Sequence, residues 1–371
     1  MAASGASNVF TAIDVLVVDD SAVVRQRLKS WIEEDHRFRV LLASDPYEAV
    51  NMLRKSVPGV IVLDVEMPRM DGLTFLRKLM RQHPLPVVLC TNHADRAVTA
   101  LEMGALEVIS KPDWRDETAL DTWKNNLLES IRTAARAGKL PIREDRPLAG
   151  SDPRHSADAV LPRMPYVPRT GTSERVIAVG ASTGGVQAIQ HLLQGFPVET
   201  PGIVIVQHMP PAFTTAFAQR LDNDDTIKLQ VSEARHNEPV RPGRVLIVPG
   251  DMHGLVRRAG TGYRVELLEG PHVRRHRPSV EVLFRSTAQA AGPYGVGVIM
   301  TGMGDDGAIG LLEMREAGAL TIAQDEATSI VFGMPREAIR RGAARFVLPL
   351  DRIAASAHPS SGLGPDSGSW H

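Results

Sequence analysis

Cysteine is almost missing from this chain. Its 371 residues include one, Cys90. A lone thiol excludes an internal disulfide framework and suits a reducing cytosol. Cys90 stands in a strand-like apolar run, where a buried packing role is expected. Charge imbalance is missing too. The formal net charge is −1, which leaves no electrostatic footprint for nucleic acid. No apolar run approaches the length of a membrane span. Residues 1–10 have neither the basic start nor the long apolar stretch of a secretory signal. These absences predict a cytoplasmic protein with no membrane insertion. What is there is ordinary: 43% hydrophobic and 23% charged residues, enough for two domains that each bury a core.

Residues 13–135 alternate between two periods. Strand-like runs fall at 15–18, 38–42, 60–63, 86–89 and 106–109. Apolar stripes at helical spacing lie between them, such as Val24, Leu28, Trp31 and Ile32, or Leu73, Leu76, Leu79 and Met80. The alternation predicts a five-stranded, doubly wound parallel sheet of the flavodoxin type. Asp19 and Asp20 close the first strand, Asp64 the third, Thr91 the fourth, and Lys111-Pro112 the fifth. In a parallel sheet these ends share one edge. Carboxylates gathered there repel one another unless a hard cation such as Mg²⁺ neutralises them. A lysine and a hydroxyl beside them suit a phosphoryl group. One acid at a strand end is an ordinary solvated loop residue, but five polar positions at matching ends point to a Mg²⁺-assisted phosphoryl acceptor.

Residues 136–174 lose this periodicity and are rich in Arg, Pro, Ala, Gly and Ser, which predicts a flexible linker. Residues 175–350 alternate again, with strand-like runs at 176–179, 202–206, 244–248, 296–300, 321–323 and 346–348. They predict a second, mostly parallel, doubly wound α/β domain. Residues 354–371 are rich in Ser, Gly and Pro and are expected to be a disordered tail.

The first strand of this second domain breaks into Gly180-Ala181-Ser182-Thr183-Gly184-Gly185 before a helical pattern. The turn fits a G-x-S-x-G elbow that exposes a nucleophilic serine. It fits equally a phosphate cradle at a helix N-terminus, or a plain serine cap. Two further strand ends bear on the choice. Gln207-His208-Met209-Pro210 delivers His208, and Thr301-Gly302-Met303-Gly304-Asp305-Asp306-Gly307 delivers two aspartates. A serine, a base and an orienting carboxylate from sister strand ends meet the needs of acyl transfer. Backbone N–H groups at Thr183 and Met303 are placed to line an oxyanion hole. His208 has rivals in His253, His272 and His276. It is preferred because its strand follows that of Ser182 and should neighbour it. Physics leaves Asp305 and Asp306 level at this point, either one a cap or a solvent-facing residue. The order Ser, His, Asp differs from the order in α/β-hydrolases.

Two resemblances extend this reading. Val17-Val18-Asp19-Asp20-Ser21, Leu63-Asp64-Val65-Glu66-Met67-Pro68, Met70-Asp71-Gly72 and Lys111-Pro112 resemble a response-regulator receiver domain over the first third of the chain. The resemblance implies that Asp64 accepts phosphate from a sensor histidine kinase. It implies that Asp20, Asp64 and the Glu66 backbone carbonyl hold Mg²⁺, with Asp19 helping, and that Thr91 and Lys111 sense the phosphate. Two departures concern how the signal leaves the domain. The stretch 91–111 is short, and Val108 stands where receivers often carry Tyr or Phe.

The elbow, Gln207-His208-Met209-Pro210, Val248-Pro249-Gly250-Asp251-Met252-His253, His276-Arg277-Pro278-Ser279-Val280, the Thr301–Gly307 turn and Gln324-Asp325-Glu326-Ala327-Thr328 look like the catalytic domain of the chemotaxis protein-glutamate methylesterases. With the receiver in front, the match spans nearly the whole chain. It implies a triad of Ser182, His208 and Asp306, leaves Asp305 as a turn residue, and puts Thr183 and Met303 at the oxyanion. It implies hydrolysis of γ-glutamyl methyl esters on chemoreceptors, releasing methanol, with deamidation of receptor glutamines beside it. No cofactor is required for the hydrolysis, and a monomer is expected. It also implies that the unphosphorylated receiver partly covers the catalytic crevice. A signalling adaptor that binds a nucleotide at 180–185 is the main rival, but Gln207-His208 occupies the strand end where an acidic ribose partner belongs. A DNA-binding regulator fails on charge and on the lack of a C-terminal helical reader.

Overall fold

The structure is a computed structural model that describes residues 12–68, 70–138, 155–168 and 174–358. The chain divides into two units, Met1–Arg143 and Glu144–His371. Among the described residues no helix is long and apolar enough to cross a membrane.

In the first unit β1 (Ile13–Val18), α1 (Ala22–Glu33), β2 (Phe38–Ala43), α2 (Pro46–Leu53), β3 (Val60–Asp64), α3 (Gly72–Gln82), β4 (Val87–Cys90), α4 (Ala94–Glu102), β5 (Glu107–Ile109) and α5 (Glu117–Ala137) alternate. The five strands form one parallel sheet in the order β2-β1-β3-β4-β5. Alternating βα connections of this length return each strand parallel to the last, with helices on both faces. Short polar residues start the helices. Ser21 Oγ accepts the Val24 N–H, and Asp45 accepts those of Tyr47 and Glu48. The core joins Val15, Val17, Val60, Val62 and Val88 to Leu127 and Ile131 of α5. Cys90 is buried in it, in its expected packing role, and Val108 is buried as well.

The second unit begins earlier than its composition suggests. Residues 155–168, inside the stretch expected to be a flexible linker, form a strap on this unit. A 3-10 turn at Ala157–Ala159 puts Ala157 and Leu161 into a small cluster with Leu255, Val273 and Val282. The Arg285 guanidinium anchors the strap by donating to Asp158 Oδ1 and the Leu161 carbonyl. Proline-rich composition masks a segment whose few apolar residues are placed for burial. Residues 136 and 137 end α5, while 139–154 and 169–173 of the expected linker lie outside the described residues.

Beyond the strap come β6 (Val176–Ala181), α6 (Gly185–Gln194), β7 (Gly202–Gln207), α7 (Phe213–Asp222), β8 (Gln230–Glu233), β9 (Glu238–Val240), β10 (Arg244–Ile247), β11 (His253–Ala259), β12 (Gly262–Leu268), α8 (Val280–Ala291), β13 (Gly295–Ile299), α9 (Ala308–Glu316), β14 (Leu320–Gln324), α10 (Met334–Arg340), β15 (Phe346–Leu348) and α11 (Leu350–Ala357). Seven strands form a parallel sheet ordered β15-β14-β13-β6-β7-β10-β8. An antiparallel sheet, β11-β12-β9, accompanies it. β8 and this small sheet lie beyond what the sequence pattern indicated. So does α11, whose Ile353, Ala354 and Ala357 are buried, so residues 354–357 belong to the fold and not to a tail. Residues 359–371 of the expected tail lie outside the described residues.

The strand order puts β6 between β7 and β13. The chain winds one way from β6 to β7 and lies on the other side at β13, so β6 marks the switch point where α/β sheets open a crevice at their carboxyl ends.

Candidate active site

Ser182, His208 and the 301–307 turn follow these three adjacent strands. Ala181 pairs with Gln207 as the last rung of β6 and β7. Ser182 and His208 each stand one residue beyond it, and the His208 N–H donates to the Ala181 carbonyl at 3.2 Å. Ser182 is tied to the other neighbour, its N–H donating to the Thr301 carbonyl at 3.0 Å.

The elbow needs its glycines. Gly184 has φ +78°, the left-handed region where a side chain is strained. A Cβ on Gly185 would lie 2.0 Å from Gln207 Oε1. That glutamine is positioned by Ser182, since its Nε2 donates to the Ser182 carbonyl at 2.9 Å.

Asp306 is 1% exposed and fully engaged. Its Oδ1 accepts from Ser279 Oγ at 2.8 Å and from the Glu281 N–H at 3.1 Å. Its Oδ2 accepts from the Val280 N–H at 2.7 Å and lies 2.9 Å from His208 Nε2. The carboxylate thus caps α8 and orients His208 at once, with a negative charge at the positive end of a helix. Burial pushes its carboxyl up, but the His208 hydrogen bond and charge, followed by His276 and Ser279, outweigh this and hold it below the usual range. Asp305 is directed elsewhere, toward Arg274 at 3.4 Å. The adjacent aspartates, level on physics alone and distinguished in the sequence only by the family resemblance, differ in their contacts because of where α8 begins.

The Asp306 contact fixes the His208 tautomer. Nε2 carries the proton toward the carboxylate, so Nδ1 presents its lone pair. His208 Nδ1 is buried with no hydrogen-bond partner among the described residues, so no Ser182–His208 hydrogen bond is closed. The rival His253 is buried, with its Nε2 2.9 Å from the Pro271 carbonyl, and burial lowers its pKa. Another rival, His276, lies flat on His208, with ring centroids 3.7 Å apart and planes 8° apart. Its sequence signal was a histidine in a basic loop, which ranked it as an alternative to His208 and not as its neighbour. Thr183 is buried at the start of the α6 turn, its carbonyl accepting from Thr301 Oγ1, and Met303 sits in the turn after β13. Residues that sequence reasoning missed are Ser279, Gln207 and Gln324, whose Oε1 accepts the Thr301 N–H at 2.8 Å.

The first unit gathers its own site. Oxygens of Asp19, Asp20 and Asp64 lie within 4.8 Å of one another. Asp64 is 2% exposed; its Oδ2 accepts from Lys111 Nζ at 2.7 Å and its Oδ1 from the Glu66 N–H at 3.0 Å. Burial pushes the Asp19 carboxyl up to about 6, and Asp64 and Asp20 add to this against the Ser21 N–H and Lys111. Burial acts to lower the Lys111 pKa, but its hydrogen bond to Asp64 carries it upward. Three acids served by one lysine form a hard, under-neutralised oxygen donor set, which fits a divalent cation such as Mg²⁺. Thr91 is buried beside them, its Oγ1 accepting the His93 N–H, and His93 pairs with Glu66. Gly72 is obligatory here, because a Cβ would lie 2.4 Å from the Asp64 carbonyl.

Both units have counterparts among known proteins. The family profile described as CheB methylesterase matches residues 177–357, and that of the response regulator receiver domain matches 15–120. Protein-glutamate methylesterase/protein-glutamine glutaminase 5 of Anaeromyxobacter dehalogenans is 54% identical over 346 residues, which cover 92% of this chain and 94% of that protein. Protein-glutamate methylesterase/protein-glutamine glutaminase 3 of Geobacter metallireducens is 51% identical over 349 residues, covering 92% and 97%. The crystal structure of the Thermotoga maritima CheB methylesterase catalytic domain is 36% identical, covering 50% of this chain and 98% of that one, with a TM-score of 0.48.

Proposed function

We propose a working cycle for this chain from the premise that it belongs to the CheB methylesterase family, with a response regulator receiver domain in front. It is a phosphorylation-activated serine esterase that hydrolyses γ-glutamyl methyl esters on the cytoplasmic part of chemoreceptors. It deamidates receptor glutamines at the same site. The observation that carries the reading is the Asp306 carboxylate, gripped by Ser279 Oγ and two N–H groups of α8 and bonded to His208 one strand from Ser182.

In this cycle Ser182 Oγ swings to His208 Nδ1 as substrate binds, and such catalytic hydrogen bonds tighten in the Michaelis complex. The oxygen attacks the ester carbonyl while Nδ1 takes its proton. Asp306 stays ionised and stabilises the imidazolium. The N–H groups of Thr183 and Met303 receive the oxyanion. His208 returns the proton to the leaving methoxide, or to the leaving nitrogen of a glutamine. Water then attacks the acyl-enzyme by the same proton path and frees a glutamate.

In the first unit Asp64 takes the phosphoryl group from a sensor histidine kinase. Lys111 passes from the Asp64 carboxylate to the phosphoryl oxygens, and Thr91 reads the change beside it. Asp19, Asp20, Asp64 and the Glu66 carbonyl would hold Mg²⁺, which would supply charge neutralisation for the transfer. The test is methanol release from methylated chemoreceptor membranes. Ser182→Ala should lower it by about 10⁶-fold, the loss that removing the serine causes in the triad template. Asp64→Asn should keep the basal rate and lose stimulation by a small-molecule phosphodonor. A Ser182→Ala rate equal to wild type refutes the serine mechanism.

A further inference from the structure

Among the described residues the His208 ring meets Asp306 at one edge and His276 across its face. The edge contact sets the tautomer but leaves the ring free to pivot about the Nε2–Oδ2 axis. The face contact opposes that pivot.

How His276 reaches this place is unusual. Val273 and His276 form a two-residue hairpin, with the Val273 N–H donating to the His276 carbonyl at 3.0 Å and the His276 N–H to the Val273 carbonyl at 2.8 Å. The turn between them is Arg274-Arg275, with φ +51° and +72°. Tight hairpin turns of this kind favour Asn and Gly, because both central residues are left-handed. Two arginines there store strain that persists only where the surroundings over-determine the loop. The surroundings do so. Arg274 bonds Glu281 at 3.3 Å and Asp305 at 3.4 Å, its N–H donates to the His155 carbonyl at 3.0 Å, and buried Val273 sits among strap residues. Arg277 binds Asp251 and the Gly270 carbonyl on the far side. Strap, helix and turn all converge on one hairpin, and what that hairpin delivers is a flat ring on His208.

The geometry points to His276 as a positioning residue for the reaction: its face holds the plane of the His208 imidazole and meets the imidazolium that forms there. This rests on the reading of His208 as the base. The groups that surround His276 are His208, Asp306, His272 and Arg275. Burial first, and His208 next, hold its imidazole down to about 3, so it stays neutral at working pH and offers a π face to a cation.

The experiment compares full-length His276→Phe, His276→Leu and His276→Ala with wild type and with His208→Ala, using methanol release from methylated chemoreceptor membranes. His276→Ala should lower kcat by about 3- to 30-fold with KM within about twofold, the range of a partly desolvated cation–π contact. His276→Phe, which keeps a flat face without titratable nitrogens, should return kcat to within about threefold. His276→Leu fills the space without a face and should resemble His276→Ala. Thermal unfolding run beside the kinetics identifies any variant whose loss is unfolding. A wild-type kcat in folded His276→Ala overturns the inference. So does a His276→Phe no better than His276→Leu. A His208→Ala protein that keeps wild-type activity instead overturns the underlying reading of the base.

Discussion

Asp306→Asn is the most informative change, because one carboxylate serves two tasks that the substitution separates. Oδ1 accepts from Ser279 and the Glu281 N–H, and Oδ2 from the Val280 N–H and His208. An amide nitrogen placed at Oδ2 faces the Val280 N–H and forces His208 to accept at Nε2. The His208 proton then moves to Nδ1, the atom that receives the serine proton in the proposed cycle. An amide nitrogen placed at Oδ1 faces the Glu281 N–H instead. Either orientation strands one buried N–H, at about 1–3 kcal/mol, and removes a charge from a helix N-terminus, at about 1 kcal/mol. The sum is a loss of about 2–4 kcal/mol from the second unit. The rate should fall about 10³- to 10⁴-fold, as Asp→Asn does in the serine-protease template.

The stability arm is read by urea unfolding of the full chain. Because the chain divides into two units with their own cores, two separate transitions are expected, and a shift on adding Mg²⁺ should mark that of the receiver. The pH dependence has a definite sign. Despite burial, the contacts of Asp306 depress its pKa, so the stability it provides is present above the unfolded value of about 3.9 and lost as pH falls through the lower folded value. Asp306→Asn should remove that acid-dependent part. Unchanged stability of the second unit refutes the capping role, and a rate within tenfold of wild type refutes the orienting role.

Three more expectations follow from single features. With Asp19 raised to about 6 in the folded receiver, protons compete with the cation, so Mg²⁺ should bind about tenfold more tightly near pH 7.5 than near pH 5. The Mg²⁺ shift of the receiver midpoint measures this, and Asp19→Asn should flatten it. Leu161→Ala in the full chain should destabilise the second unit by about 2–4 kcal/mol, since Leu161 is 5% exposed in the strap cluster; a loss below about 0.5 kcal/mol in urea would return the strap to the status of a linker. Gly185→Ala pushes on Gln207 Oε1 and disturbs its bond to the Ser182 carbonyl, so kcat should fall about tenfold with folding retained by circular dichroism.

Much of this architecture was legible in the chain because its causes are local. Apolar runs and helical stripes located every strand of the receiver, and the Gly180–Gly185 turn and the His208 strand end announced themselves by their spacing. What escaped depends on contacts between distant segments. The resemblance named Asp306 over Asp305, but the physical reason for that choice is the N-terminus of α8, which arrives from residues 279–281. The β11–β12 hairpin alternates Val256 and Val265 with Arg257, Arg264 and Glu266, and its charge obscured a period-two signal. The strap has too few apolar residues for any period, and its burial depends on Arg285, which pairs with Glu313 in the interior.

These non-local contacts share one destination. The strap bonds the 273–276 hairpin, the hairpin bonds Glu281 of α8, and the start of α8 binds Asp306. Burial pushes the Glu281 carboxyl up to about 7, with Asp306 adding to it, which favours one negative charge at this spot over two. The charge therefore belongs to Asp306, where the helix N-terminus and His208 both use it. The orientation of the base is a consequence of how α8 is capped, so no substrate contact is needed to create it. In the proposed cycle that leaves substrate binding one task, bringing Ser182 Oγ to His208 Nδ1.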